Sequence, residues 1–455
     1  MSRHAELATV LAICLLGVGL RMVQVAYNFD GDELYSARLA AQPAAEVIRE
    51  SLADSPHPPL HYFLLSIWER AFGAGEVAAR ALSILCSAAF LAVAYCVLRR
   101  LMAPWPALGA LGVLAVSPFF VYYGQQARCY SLIALLWAMN LLVFWRLLDA
   151  PMDRGRLLAW ASTCALLSWA QYLAVLPVAV EIVFLLPGQS RRHQAVVLTS
   201  GVMALASVLP WLIAAMSTRI AMRRDPLSQI GWMDRPQVAD LAWFYIGIFG
   251  VAPGFQARWL LLALASLCAT YYAIGFWRRP SRHAVVLTVM GVVVPAVVFA
   301  LSFYGPKPVF AERQLIGAAL AFVTLTGVWA MNQPRLAGII MSCLFLWTAA
   351  AVPNAFPANS KPPWREVANR LDADYPGTPI LAAEDWVAYP VSYYRRRGEV
   401  RRVQALPSEP ALLLCRPTRD AGLVKGLTPL RTWAWGRASD NSYGLALYEV
   451  NADSR

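Results

Sequence analysis

Leu7-Ala8-Thr9-Val10-Leu11-Ala12-Ile13-Cys14-Leu15-Leu16-Gly17-Val18-Gly19-Leu20 is followed, shortly after Arg21, by Asp30-Gly31-Asp32-Glu33. A helix needs about 20 mostly apolar residues to cross a bilayer. The run reaches that length if it continues past Arg21 to about Tyr27, with Arg21 snorkelling toward the far interface. A cleaved signal peptide would begin the same way. The acids and further apolar runs directly behind it favour an uncleaved first span.

Runs of similar character recur near 76–98, 104–122, 129–148, 194–216, 257–277, 284–303, 312–331 and 336–352. The chain of 455 residues is 59% hydrophobic and 15% charged. A soluble globular chain carries roughly 25% charged residues. The deficit predicts an all-α polytopic membrane bundle rather than one large soluble core. The net charge of +12 comes almost wholly from arginine, with lysine only at Lys307, Lys361 and Lys425. The arginines lie largely between apolar runs, where they orient a membrane protein, so nucleic-acid binding is not expected. The eight cysteines form no CxxC pair. Six lie inside apolar runs, and no disulfide is expected between the other two, Cys129 and Cys415.

The stretch 157–187 is long for one span and short for two. Arg154 and Arg156 precede it, and Arg191 and Arg192 follow it. If both loops are cytoplasmic, two short helices turning near Gln171-Tyr172 satisfy the charge rule, giving about eleven spans in all. Arg99-Arg100, Arg278-Arg279 and Arg335 fit the same orientation. The loop 217–258 is basic but longer, and such loops are weakly constrained. The expectation is a cytoplasmic N-terminus, with loops 28–75, 217–256 and 303–312 and the tail from 353 outside.

Residues 1–352 thus read as a transmembrane domain and 353–455 as a small extracytoplasmic, soluble α/β domain, within the usual size range. Trp364 to Asp374 predicts an amphipathic helix. Pro379–Ala383, Ala411–Cys415 and Tyr443–Val450 predict strands, and Asp385 predicts a cap for a helix through Tyr393-Tyr394. There is no Gly-rich phosphate loop, Ser/His/Asp signature or internal repeat.

The first outer loop concentrates the chemistry. It holds Asp30, Asp32, Glu33 and Tyr35, then His57-Pro58-Pro59-Leu60-His61-Tyr62. Acids beside a membrane are costly unless they meet water, a cation or a reacting group. The plain alternative is a solvated interfacial loop. Sugar transfer from a phosphate-linked donor needs a base for the acceptor hydroxyl. Its leaving group is already a phosphate and needs cationic or metal stabilisation more than a proton. One carboxylate with basic residues elsewhere is sufficient. Asp30, Asp32 or Glu33 would also suit a divalent cation. Asp30-Gly31-Asp32 matches the DxD pattern of nucleotide-sugar enzymes, but that pattern is weak, and an outer-face enzyme must draw its sugar from a lipid carrier.

Arg128, among the aromatics of Pro118 to Tyr130, and Lys307 and Arg313, in Tyr304 to Arg313, stand at outer span ends. An arginine grips phosphate with two hydrogen bonds. The competing readings are an aromatic belt around Arg128 and a Glu312–Arg313 charge pair.

With these residues together, residues 1–352 resemble glycosyltransferase family 39 in the broad sense. It comprises the dolichyl-phosphate-mannose protein mannosyltransferases, the bacterial aminoarabinose transferases and their relatives, within the C superfamily of membrane glycosyltransferases. The resemblance rests on Asp32-Glu33 with Tyr35, His57-Pro58-Pro59-Leu60, Ala127-Arg128-Cys129-Tyr130 and Glu312-Arg313-Gln314-Leu315. Trp364-Arg365-Glu366 and Tyr393-Tyr394 resemble the outer domains of such proteins. The resemblance implies Asp32 as general base with Glu33 beside it. It implies Tyr35, His57, Arg128, Tyr130, Lys307 and Arg313 around the substrates, and an undecaprenyl-type phosphate carrier with inversion at the anomeric carbon. The acceptor would be a lipid, glycan or protein at the outer face of a bacterial inner membrane. One departure stands out: the family's late motif reads Arg-Tyr, and here Gln314 follows Arg313. The reading from another class is a transporter or flippase for lipid-linked glycans. Such a protein would favour ionisable residues or broken helices at mid-membrane, often in repeated halves.

Overall fold

The computed structural model describes residues 2–54, 57–150, 153–224, 233–250, 281–331, 334–403, 409–434 and 444–450. The expected span at 257–277 lies outside them. The chain divides into two compact units, one of residues 1–23 and 39–352 and the other of residues 24–38 and 353–455. The second unit therefore takes up residues 24–38, which a continuous 1–352 domain would have kept in the first.

The first unit is helical. Among the described residues, five helices are long and apolar enough to cross a membrane: Arg3–Met22, Glu76–Leu101, Tyr130–Leu148, Arg191–Ala221 and Arg282–Tyr304. Pro104–Val116 and Pro118–Gln125 add a sixth if counted as one span, bent by 54°. Proline explains that bend. Pro118 has no N–H to continue the preceding helix but suits the first turn of a new one. Ser117 closes one helix and caps the next, accepting from the Phe120 N–H and donating to the Ile248 carbonyl at 2.6 Å. The stretch around 157–187 does break at Gln171, into Arg154–Ala170 and Val175–Leu185 joined by a short 3-10 turn.

Arg21 corrects the sequence reading. The first helix stops at Met22, and Arg21 is fully buried instead of snorkelling outward. Its guanidinium donates to the carbonyls of Gly17 at 2.7 Å, Ala115 at 3.0 Å and Phe120 at 3.1 Å. The last carbonyls of a helix lack intrahelical partners. Ala115 lies in the last turn of Pro104–Val116, so the break supplies one such acceptor, and Arg21 reaches it from a neighbouring helix. A Cβ on Gly124 would come within 2.6 Å of Arg21 Nε, so only glycine allows this approach.

Glu181 is a buried acid within the apolar Val175–Leu185 helix. Trp160 donates to it at 2.7 Å, and Asn140 donates to Thr163 and Cys164 beside it. These contacts satisfy one oxygen of the carboxyl, Oε2, and leave Oε1 buried without a hydrogen bond. At the basic helix end, Glu6 accepts from Arg99 at 2.6 Å, and Asp149 meets Arg100 at 3.0 Å and His283 at 2.8 Å.

The second unit carries one five-stranded sheet. Its strands are β1 Ile380–Ala382, β2 Val400–Arg402, β3 Ala411–Cys415, β4 Arg431–Ala434 and β5 Gly444–Val450, ordered β2-β1-β3-β5-β4. The β1 strand pairs in parallel with β2 and β3, while β5 pairs antiparallel with β3 and β4. Trp364, Val367, Ala368 and Leu371 of the Trp364–Asp374 helix pack with Ile380, Leu414 and Leu447. The helix expected through Tyr393-Tyr394 spans Asp385–Tyr394, but Glu384 occupies the cap position and makes no side-chain cap bond. Cys129 and Cys415 are both free and buried.

Candidate functional site

The expected site residues fall in both units. Asp30, Asp32, Glu33 and Tyr35 belong to the second, while His57, Arg128, Tyr130, Lys307 and Arg313 belong to the first. Each group has its own geometry.

In the second unit the acids form the start of the Gly31–Ala40 helix. Glu33 N–H donates to Asp30 Oδ1 at 2.8 Å, and Asp30 N–H donates to Glu33 Oε2 at 3.2 Å. This reciprocal pair is a capping box, with Asp30 as the cap and Glu33 three residues on. It explains why these acids sit at this spacing. Glu33, expected as a catalytic neighbour of Asp32, is fully buried and committed to the cap. Asp32 lies between them on the first turn, and its side chain is exposed. Tyr35 is half-buried one turn further on.

Sequence reasoning missed the cation here. Lys361 Nζ stands 2.7 Å from Glu33 Oε2 and 3.4 Å from Asp30 Oδ2. Lys361 is 1% exposed. Burial pushes the Asp30 carboxyl up from its ordinary range, and Lys361 pulls it back. The signal was available: Lys361 is one of three lysines in an arginine-rich chain. It precedes Pro362-Pro363, a pair that fixes the backbone.

The loop is held from several sides. Asn28 Nδ2 donates to the Pro362 carbonyl at 3.0 Å, and the Phe29 N–H donates to Tyr394 Oη at 2.7 Å. The Arg38 guanidinium lies 5.0 Å from the Tyr389 ring, within cation–π range. Both tyrosines come from Asp385–Tyr394. Asp30 and Glu33, proposed ligands for a divalent ion, already face an ammonium. Among the described residues no group of three or more His, Cys, Asp or Glu side chains is placed to hold a metal. The donor set does not fit a bound ion.

In the first unit, His57 is buried at the turn before the Leu60–Phe72 helix. Its ring meets Tyr130 edge-on at 6.2 Å, and Tyr130 meets Tyr123 at 5.0 Å. Arg128 is buried, with its guanidinium 6.0 Å from the Tyr130 ring. Burial holds His57 well below the usual histidine range, and the nearby positive charges of Arg128 and Arg313 push it the same way. The structure therefore brings His57, Arg128, Tyr130 and Arg313 together. Lys307 lies half-buried in the turn after Tyr304.

Gln314, the departure from the expected motif, has a partner. Gln171 Nε2 donates to the Gln314 carbonyl at 2.5 Å and approaches its side-chain oxygen at 3.3 Å. The residue thus ties the Arg313 turn to the break between Arg154–Ala170 and Val175–Leu185. Next to it, a Cβ on Gly317 would fall within 2.4 Å of Trp137. Glycine lets the helix entering after Arg313 approach that ring.

Residues 56–213 match the dolichyl-phosphate-mannose-protein mannosyltransferase family. An undecaprenyl phosphate-alpha-4-amino-4-deoxy-L-arabinose arabinosyl transferase of Pseudomonas fluorescens is 24% identical over 327 residues, covering 65% of this chain. The match spans 56% of that relative's length, a little over half. ArnT from Cupriavidus metallidurans in the apo state superposes with a TM-score of 0.59 at 14% identity, covering 100% of this chain and 99% of that one. The same protein bound to undecaprenyl phosphate gives 0.55 at 13% identity, covering 98% of each chain. These two likenesses establish an ArnT-like membrane fold.

Proposed function

We propose that this chain is a membrane glycosyltransferase of the C superfamily, and that it transfers a sugar from a polyprenyl-phosphate carrier to an acceptor at the outer face of the membrane, with Asp32 as general base. The observation that carries the reading is the Asp30–Glu33 turn. Two of its acids, the half-buried Asp30 and the buried Glu33, are engaged in a cap and in ion pairs, and the third, Asp32, is exposed on the first turn of the helix.

The chemistry follows from that presentation. The acceptor hydroxyl oxygen attacks the anomeric carbon and forms the new C–O bond. Its proton passes to the Asp32 carboxylate. The anomeric C–O bond to phosphate breaks, and its electron pair stays on the phosphate oxygen of the carrier. Attack opposite the leaving group inverts the anomeric centre. Arg128 and Arg313 bear the charge of the departing phosphate. Tyr35, His57, Tyr130 and Lys307 line the substrate path. The neutral state of His57 leaves it a hydrogen-bonding group and not a second charge.

The carrier is of the undecaprenyl type, supported by the name of the 24%-identical relative. The protein would then cross a bacterial inner membrane about eleven times with its N-terminus cytoplasmic, following the arginine distribution. The sheet-bearing second unit would be a soluble extracytoplasmic domain.

The test uses the full chain in lipid nanodiscs. Undecaprenyl-phosphate-linked 4-amino-4-deoxy-L-arabinose and mannose serve as donors, and a total envelope-lipid extract as acceptor. Released undecaprenyl phosphate is measured. Asp32→Asn lowers turnover by roughly 100- to 10,000-fold, the usual worth of a positioned base, with undecaprenyl phosphate binding kept. Wild-type turnover in that variant would remove Asp32 from the mechanism.

A further inference from the structure

The tail reaches the acidic turn through one side chain, and that contact suggests a role for the second unit in the reaction. The Lys361 ammonium is 2.7 Å from Glu33 and 3.4 Å from Asp30, the two acids that flank Asp32. Its own backbone is fixed. The Lys361 N–H donates to the Pro357 carbonyl at 2.8 Å, and Pro362-Pro363 follow. The loop grips the same segment in return, since Tyr27 Oη donates to the Lys361 carbonyl at 3.4 Å and Asn28 to the Pro362 carbonyl at 3.0 Å. Two clamps just before the turn and one ammonium on it therefore tie residues 27–33 to this segment.

We propose that Lys361 is a positioning residue for glycosyl transfer, holding the Asp30 and Glu33 carboxylates together so that the Asp32 carboxylate is held at the angle the acceptor hydroxyl requires. The inference rests on the reading of Asp32 as the base. Asp30, Asp32 and Glu33 are like charges within one helical turn, and like charges at such range repel. Without a cation between the outer two, the Asp30 and Glu33 carboxylates part or take up protons. Either response rotates the first turn of the helix that carries Asp32. A displacement of about 1 Å at a reacting group is enough to cost about 100-fold in rate. Lys361 prevents it without touching a substrate.

A lysine that only neutralised a buried acid would behave differently. Its loss would unfold the unit, and removing the acid as well would restore everything. The test separates these cases with Lys361→Met, Lys361→Arg and the double variant Lys361→Met with Glu33→Gln. All are full-length in nanodiscs, with the donors and envelope-lipid acceptor named above. Lys361→Met is expected to lower kcat by 10- to 100-fold with donor KM changed less than threefold. Lys361→Arg keeps the charge and recovers to within tenfold of wild type. The double variant regains the wild-type melting temperature but stays at least tenfold slow, because Asp30 has lost its cation.

A double variant with wild-type turnover overturns the proposal, since Lys361 then serves only to balance Glu33. A double variant that does not fold overturns it too, making Lys361 a structural residue alone. A rise in donor KM with unchanged kcat would place Lys361 in substrate binding and equally overturn it. Failure of the underlying reading looks different: wild type is inactive with both donors, or Asp32→Asn matches wild type, whatever the lysine variants do.

Discussion

The two units handle charge in opposite ways. In the second unit, carboxylates gather around Lys361, and the negative charge of the cap is balanced inside the unit. In the first, burial keeps the His57 ring neutral, and the positive charges of Arg128 and Arg313 push it the same way. A balanced acidic turn holds its shape and presents one acid outward. A cation-rich cluster beside aromatic rings is suited to receive an anion. The contrast fits the proposal of Asp32 as base in the second unit and of Arg128 and Arg313 as phosphate contacts in the first. It also explains why the resemblance rests on separated motifs rather than on one continuous stretch.

The comparison breaks most visibly if the acidic turn is not balanced as described. Glu33→Gln keeps an acceptor oxygen for the Asp30 N–H but removes the charge opposite Lys361. The buried ammonium is then left with Asp30 at 3.4 Å. Removing one partner of a buried pair is strongly destabilising, and the remaining acid softens the loss to about 3 kcal/mol. Thermal unfolding of the full chain measures it. An unchanged melting temperature would mean the turn does not depend on its cation.

The first unit offers the matching test. Arg128→Ala and Arg313→Ala each remove a charge-assisted contact worth about 1.5–3 kcal/mol. Donor KM should rise by roughly 10- to 100-fold for each, with a smaller effect on kcat. Arg128→Lys should recover only part of the loss, because lysine lacks the planar fork. Undecaprenyl phosphate affinity that is unchanged in both alanine variants would take the phosphate away from Arg128 and Arg313.

What the sequence disclosed follows from how local each signal is. The Trp364–Asp374 helix was legible to the residue, because its apolar period is complete within eleven positions. The strands β2 and β4 were not. They are three and four residues long, mostly polar on their exposed faces, and exist because β1 and β5 give them edges to pair with. Among site residues, the acids and Arg128 showed themselves by being charged at span ends. The capping box was written in Asp30-Gly31-Asp32-Glu33, yet chemical interest in the acids hid their ordinary use as a cap. Lys361 lies more than three hundred residues from its partners, and no spacing rule reaches that far. Arg21 was misread because the acceptors that draw it inward, Ala115 and Phe120, come from a break in another helix.

The smallest expected effect sharpens the contrast through pH. The Leu60–Phe72 helix buries His61 and Glu69, eight positions apart and so on one face. Burial pushes His61 down to about 3 and Glu69 up to about 8. Both are therefore neutral in the folded protein near pH 7, in keeping with a unit that carries its charge on Arg128 and Arg313. Their signs of linkage are opposite. His61 binds its proton more readily when unfolded, so its stabilising contribution is lost as pH falls below about 6.5. Glu69 holds its proton more tightly when folded, so its contribution is complete below about pH 4.5 and is lost as pH rises toward about 8. Glu69→Gln removes the second limb and leaves the first. Wild type and variant should differ little at pH 5 and diverge to about 1–2 kcal/mol by pH 8, the variant being the more stable. Parallel melting curves across that range would mean that Glu69 is ionised in the folded protein. The first unit would then hold a buried negative charge of its own, and the division of charge between the two units would fail.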